Sequence, residues 1–258
     1  GLGQVSTQCV NAGQAGAVAI VARESLTISS PAGAVQSGVF STASGSGGGG
    51  AVPIRGGQLV VNGGAVNVSS ATGGDAGRIA ADVGTVTMTG GAQISTSVSG
   101  AGNGGPLTVA ATGDVSLSGQ AGDGFGTGIY SLTSGSGTGG DITDSGSNLY
   151  LANGATINSE RLDTGNAGNI DVAAVSAVAL DNASITAAAV SADGGSIQVT
   201  APDLLYLLQS DITAAVGGVS GNAASTGRGG SINISSGEFV MNGGAVKESK
   251  TTRLKSRP

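Results

Sequence analysis

The chain has 258 residues, 50 of them glycine; 10% are charged, 2% are aromatic, and there is no histidine or tryptophan. Without histidine the commonest general base and the Ser–His triad are excluded, and the lone Cys9 excludes an internal disulfide. Net charge is −6, and residues 1–246 carry five arginines against fifteen acids, a balance that repels phosphate backbones and excludes nucleic acid as a partner.

The apolar content, 39%, is too high for a disordered chain of low net charge. It is spread in short Val, Ile, Leu and Ala runs, which suit short strands joined by glycine-rich turns. No run reaches the ~18 apolar residues of a membrane span. Residues 1–12 show no basic start and no long apolar stretch, so no signal peptide is visible. They are expected to be a partial unit or a frayed start.

From residue 13 the chain repeats. A glycine-rich loop is followed by an apolar-x-apolar triplet beginning at Val18, Val52, Ile79, Leu107, Ile142, Ile170, Ile197 and Ile232. The spacings are 34, 27, 28, 35, 28, 27 and 35, so eight units follow a long-short-short order. Every third unit matches in content. "SGVFSTASGSGGGG" in unit one answers "TGIYSLTSGSGTGG" in unit four, and "QLVVNGG", "NLYLANG" and "EFVMNGG" occupy units two, five and eight.

Each unit predicts three short strands, in unit six "NIDVA", "AVALD" and "SITAA". Alternation turns Ile170, Val172, Val178, Leu180 and Ile185 inward. Turns fall at Gly, Asn and Asp, which tolerate positive φ. The segment "APDLLYLLQS" (201–210) could open a helix at Pro202 and Asp203. By position, however, Leu205 and Leu207 match Val178 and Leu180, which predicts a strand. Asp144 falls on an inward position, and the cost of an unpaired buried charge predicts a bulge or shift there. The third strand of units two and eight can be registered in two ways. After Val246 the texture breaks into "KESKTTRLKSRP", so 247–258 is expected to be a basic, disordered tail.

A three-strand unit cannot bury its own face and must stack on its neighbours. The expected fold is all-β: a right-handed parallel β-helix, a solenoid of about eight coils of three short strands over 13–246, roughly 40 Å long. A β-sandwich, the rival fold, does not account for a fixed repeat that absorbs seven-residue insertions.

The units, with "GNAGNI", "GNGGPLTV", "GAQIST" and "TGIYSLTSGSG", resemble filamentous haemagglutinin-type exoproteins, most of all the large haemagglutination-activity-domain proteins of cyanobacteria. The resemblance covers about residues 13–246 and rests on repeat texture. It implies a right-handed β-helix, two-partner secretion through an outer-membrane pore, and an extracellular or cell-surface role in adhesion. The family's amino-terminal secretion domain is not in this stretch, so a downstream shaft segment is expected, with a surface glycan or protein of a host or neighbouring cell as partner.

Parallel β-helices also carry polysaccharide lyases and hydrolases, which need two carboxylates ~5–10 Å apart. The acids Asp75, Asp82, Asp114, Asp123, Asp141, Asp144 and Glu160 fall at different places in their units, with Asp141 and Asp144 the closest pair. Loop solvation explains them without catalysis. "GGDAGRIAAD" lacks the tandem spacing of calcium-binding nonapeptides, and "GDGFGTG" lacks a P-loop lysine. No catalytic, cofactor-binding or metal-ligating residue is therefore assigned, and no cofactor is expected. Outward columns in the first and second strands carry no threonine ladder, which disfavours ice binding. Phe40, Phe125, Tyr130, Tyr150 and Tyr206 are candidates for gripping a sugar or protein, or for packing beneath loops. The expected function is a non-enzymatic structural or adhesin shaft. The alternatives are a β-helical polysaccharide-active enzyme and a glycine-rich envelope repeat protein.

Overall fold

The computed structural model describes residues 3–30, 36–122, 124–216 and 227–249. These form sixteen strands in one sheet, with no helix among the described residues. Unit one holds β2 (Ile20–Ser29) and β3 (Gly38–Ala43), preceded by β1 (Gln4–Cys9), a partial unit. Unit two is β4 (Val52–Asn62) and β5 (Ala65–Ser70); unit three is β6 (Ile79–Thr89) and β7 (Gln93–Val98). Unit four is β8 (Leu107–Ala111), β9 (Val115–Ser118) and β10 (Gly128–Thr133). Unit five is β11 (Ile142–Ala152) and β12 (Thr156–Arg161); unit six is β13 (Ile170–Asp181) and β14 (Ser184–Ala189). Units seven and eight are single long strands, β15 (Ile197–Val216) and β16 (Ile232–Ser249).

Every strand pairs in parallel with its equivalent in the next unit, so the sheet runs β1-β3-β5-β7-β10-β12-β14 on one limb and β2-β4-β6-β8-β11-β13 on the other, joined through β15. This order is consistent with a solenoid-like fold, because each residue meets the one at the same place a unit later. The predicted anchors pair in sequence: Val52 with Ile79, Ile79 with Leu107, Leu107 with Ile142, Ile142 with Ile170, Ile170 with Ile197, Ile197 with Ile232. Each anchor N–H from Val52 to Ile197 donates to the carbonyl one residue before the next anchor, at 2.8–3.2 Å. The five inward residues predicted in unit six are all fully buried.

Segment 201–210 is strand. Leu205 pairs with Val178 and Leu207 with Leu180, and both leucines are buried. Pro202 and Asp203 occupy a register shift between Ala201 and Leu204 instead of opening a helix. The ambiguous third strands are settled with Val66 and Val68 inward and Val246 paired with Ile212.

Four expectations are corrected. The first two strands of most units are one continuous strand that turns its corner by a bulge, as between Ala22 and Ser25 or Gly146 and Asn148; only unit four separates them. The long units are not equivalent. Units one and four lengthen the loop between second and third segments, whereas unit seven continues through that corner and is lengthened after Val216, outside the described residues. The folded repeat also runs past residue 246: Lys247 pairs with Thr213 and Glu248 with Ala214, and Glu248 Oε1 accepts the Ile232 N–H at 2.9 Å. A backbone ladder tolerates charged outward side chains, so the change in composition does not end the strand. Residues 250–258 of the expected tail lie outside the described residues. The fourth correction is Asp144, taken up below.

Two backbone columns fix the geometry. At least one residue in each of units two to eight turns with positive φ at the same corner: Gly63, Gly90, Gly119, Asn153, Asn182, Gln209 and Gly243, followed by a second in Gly91, Gly154 and Gly244. A second column lies two residues before each anchor, at Gly16, Gly50, Gly77, Gly105, Gly140, Gly168, Gly195 and Gly230. A Cβ on any of the last seven would overlap the carbonyl oxygen of the glycine one unit earlier. Successive main chains touch there, which no residue with a side chain permits.

Candidate functional site

The corner between third and first segments carries most of the polar chemistry. Four residues before the anchors stand Asp75, Asn103, Thr138, Asn166, Asp193 and Arg228, and the Asp and Asn side chains among them link unit to unit. Asp75 Oδ1 accepts the Asn103 N–H at 2.7 Å, and Asn103 Oδ1 accepts the Thr138 N–H at 2.9 Å. Asn166 Oδ1 accepts the Asp193 N–H at 3.1 Å, and Asp193 Oδ1 accepts that of Arg228 at 2.6 Å. A second ladder stands one residue before the anchors: Asp141 Oδ1 accepts from Asn169 N at 2.8 Å, and Asn169 Oδ1 from Ser196 N at 3.0 Å. Each side chain thus satisfies a loop N–H that the strand ladder leaves unpaired. The sequence did hold this signal in the constant offset of Asp and Asn ahead of the triplets.

The acids weighed for catalysis take separate places. Asp75 and Asp141 belong to these ladders. Asp114 accepts from Asn148 Nδ2 at 2.9 Å, and Glu160 from Asn158 Nδ2 at 3.2 Å. Asp82 is exposed on the outer face, and Asp123 lies outside the described residues. Asp141 is exposed in its loop, whereas Asp144 is sealed inside, so this closest pair in sequence does not share a cleft. Among the described residues no three His, Cys, Asp or Glu side chains gather as a metal site.

Asp144 was expected to be turned out of the core by a bulge. Instead it pairs in register with Val109 and Val172, and the irregularity follows it, between Gly146 and Asn148. It is 0% exposed, and neither carboxylate oxygen has a hydrogen-bond partner. Burial pushes its pKa up from 3.8 to about 7. The register is held by Ile142 and by the second segment of the same strand. A slip of one residue to free one carboxyl would turn every other side chain of the segment to the wrong face.

Arg161, at the end of β12, is the largest fully buried side chain among the described residues. Its Nη1 donates to the Gly137 carbonyl and its Nη2 to that of Gly135, while Nε has no partner. Burial lowers the guanidinium pKa, against Asp163, which raises it. Alternation from Ile157 through Ser159 points Arg161 inward, a signal present in the sequence and passed over there.

Two open grooves mark the outer surface. One, of about 690 Å³, follows the corner between first and second segments and is lined by Arg23, Glu24, Ser25, Gln58, Thr85 and Thr112 with three glycines. It holds one acid and one arginine, not the carboxylate pair that glycoside cleavage needs. The other, of about 400 Å³, lies on the outer face of β1 and β3 around Phe40. Of the remaining aromatic candidates, Tyr150 is 42% exposed on the outer face of β11, and Tyr206 is half-buried. Tyr130 is buried; its Oη donates to the Gly126 carbonyl at 2.6 Å, and the Phe125 ring packs on it at 5.2 Å. Burial raises the Tyr130 phenol pKa.

The chain matches no protein-family model, no curated protein and no solved structure.

Proposed function

We propose that this chain is a shaft segment of a haemagglutinin-like surface exoprotein, folded as a right-handed parallel β-helix of eight coils. The observation that carries this is the unbroken in-register column from Val52 to Ile232. Each coil adds one layer of ~4.8 Å, and its inward residues complete a dry column with those above and below. Such a body transmits position and load along one axis and needs no catalytic group. The outward faces are mixed, with small polar residues beside exposed Val21, Tyr150 and Val175, and they suit a spacer between an anchor and a binding surface. The resemblance of the repeat units adds export through a dedicated outer-membrane pore and a place outside the cell. No described helix is long and apolar enough to cross a membrane.

The architecture is tested by distance. Spin labels at Val60→Cys and Val240→Cys, in a Cys9→Ser background, lie six layers apart, roughly 29 Å at ~4.8 Å per layer. Labels at Val60→Cys and Ser116→Cys lie two layers apart, roughly 10 Å. A Val60–Val240 distance no longer than the Val60–Ser116 distance removes the shaft. The role is tested by incubation with a panel of neutral and acidic polysaccharides. Release of new reducing or unsaturated ends would replace the shaft with an enzyme.

A further inference from the structure

The groove on the outer face of β1 and β3 combines one aromatic ring with uncharged hydrogen-bonding groups. Its lining is Gln4, Ser6, Gln8, Gln36, Phe40 and Thr42, with Thr7 at its edge. Gln4, Ser6 and Gln8 are exposed, and Gln36, Phe40 and Thr42 are half-buried. Strand pairing sets Ser6 beside Phe40 and Gln8 beside Thr42, so ring, amides and hydroxyls share one face. Gln4 Nε2 donates to the Gln36 carbonyl at 3.1 Å, which ties the first strand to the edge of the groove.

The Phe40 ring is laid back along its own strand. A Cβ on Gly38 would come within 2.8 Å of the ring, so glycine at that place lets the ring lie over the backbone. One super-repeat later the same device recurs: the Tyr130 ring lies over Gly128, where a Cβ would meet it at 2.9 Å. There the chain itself supplies the occupant. Phe125, three residues before Gly128, packs against Tyr130 with ring centroids 5.2 Å apart. The corresponding stretch of unit one, residues 30–37, contains no aromatic residue. Unit four therefore shows a ring platform holding a flat apolar group, and in unit one the equivalent ring faces a groove whose described lining supplies no second ring.

We propose that this groove binds a neutral pyranose, as a free sugar or as a residue of a glycan. The C–H face of a pyranose is apolar and carries a slight positive charge, which suits the negative face of an aromatic ring. Its hydroxyls both donate and accept, as do the three glutamine amides and the Ser6 and Thr42 hydroxyls around the ring. Among the described residues no Asp, Glu, Lys or Arg lines the groove, so an ionised sugar would lose water without gaining a counter-charge. About 400 Å³ is within the range of small-ligand sites. The site needs only the pairing of β1 with β3 and stands apart from the shaft role. Label distances can fail while the sugar still binds, and the reverse.

The test is titration of the isotope-labelled full chain with four probes: methyl β-glucoside, methyl β-galactoside, methyl α-mannoside and N-acetylglucosamine. The expected result is a saturable shift of the Gln4, Gln8 and Gln36 side-chain amide signals with at least one probe. A single shallow platform corresponds to a Kd on the order of millimolar. Phe40→Leu keeps the apolar volume and the fold but removes the ring face, and is expected to weaken binding about fivefold or more. Gln8→Ala, a change at an exposed side chain, is expected to weaken it severalfold while the fold is intact. No saturable shift with any of the four up to about 50 mM, equal affinity in Phe40→Leu, or equal affinity for glucuronic acid overturns the proposal.

Discussion

Units five and six lie directly on one another and pair in register except at the bulge between Gly146 and Asn148, yet their interiors differ. Unit six places Val172 and Ala189 where unit five places Asp144 and Arg161. All four positions are buried. Unit six is what apolar alternation specifies, and unit five carries two ionisable groups in the same frame. One of them, Arg161, donates to two carbonyls of the loop beside it. The other, Asp144, has no partner. The comparison teaches that stacking, once fixed by units on both sides, imposes a position on a residue that would not choose it. The cost is local, because in a repeat architecture each unit answers mainly to its neighbours.

The largest effect is expected when the defect of unit five is copied into unit six. Val172→Asp would set a second unpaired carboxyl against Asp144, and loss of about 5 kcal/mol at pH 8 is expected from the lost apolar burial and the added charge. Urea unfolding measures it. The reverse change, Asp144→Val, should stabilise by about 4 kcal/mol at pH 8, the free energy equivalent of moving a pKa from 3.8 to about 7. The pH dependence has a definite sign. Between pH ~4 and ~7 the folded chain holds a proton on Asp144 that the unfolded chain has released, so stability falls as pH rises through that window and levels off above it. Asp144→Asn should abolish that slope, and a slope that survives in Asp144→Asn assigns it to another group. Gly168→Ala would press a methyl group on the Gly140 carbonyl and separate the two units. A loss of about 3 kcal/mol is expected, with faster hydrogen exchange at Ile170 and at Ile142. The smallest effect lies one unit further on. Gln209 holds φ 48° in the column otherwise filled by Gly and Asn, and Gln209→Gly should stabilise by about 1 kcal/mol.

Much of this frame is legible in the sequence. The triplet spacing located every anchor, and position within the repeat, not local propensity, identified 201–210 as strand. A Pro-Asp start followed by leucines has the local look of a helix; the pairing of Leu205 and Leu207 with Val178 and Leu180 outweighs it. Asp144 was misread for a physical reason. The expectation weighed the price of one carboxyl against a local bulge, whereas the true alternative was displacement of a whole strand paired on both sides. The Asp75 and Asp141 ladders were read as solvated loops because their partners are backbone amides in another unit, which composition does not reveal. The Phe40 groove needs two strands 34 residues apart to pair, and only the aromatic residue itself pointed toward it.

The glycine column beginning at Gly16 and ending at Gly230 has a further consequence. It works as a seam, where the main chain of each layer lies against that of the next, and it is untouched by how long the neighbouring corners are. Unit four carries nine residues, 119–127, between its second and third segments, yet Gly128 still pairs with Gln93 before it and Thr156 after it. Cargo can therefore be spliced into that corner, as an epitope, a tag or a foreign loop, while the spacing of the layers is set elsewhere.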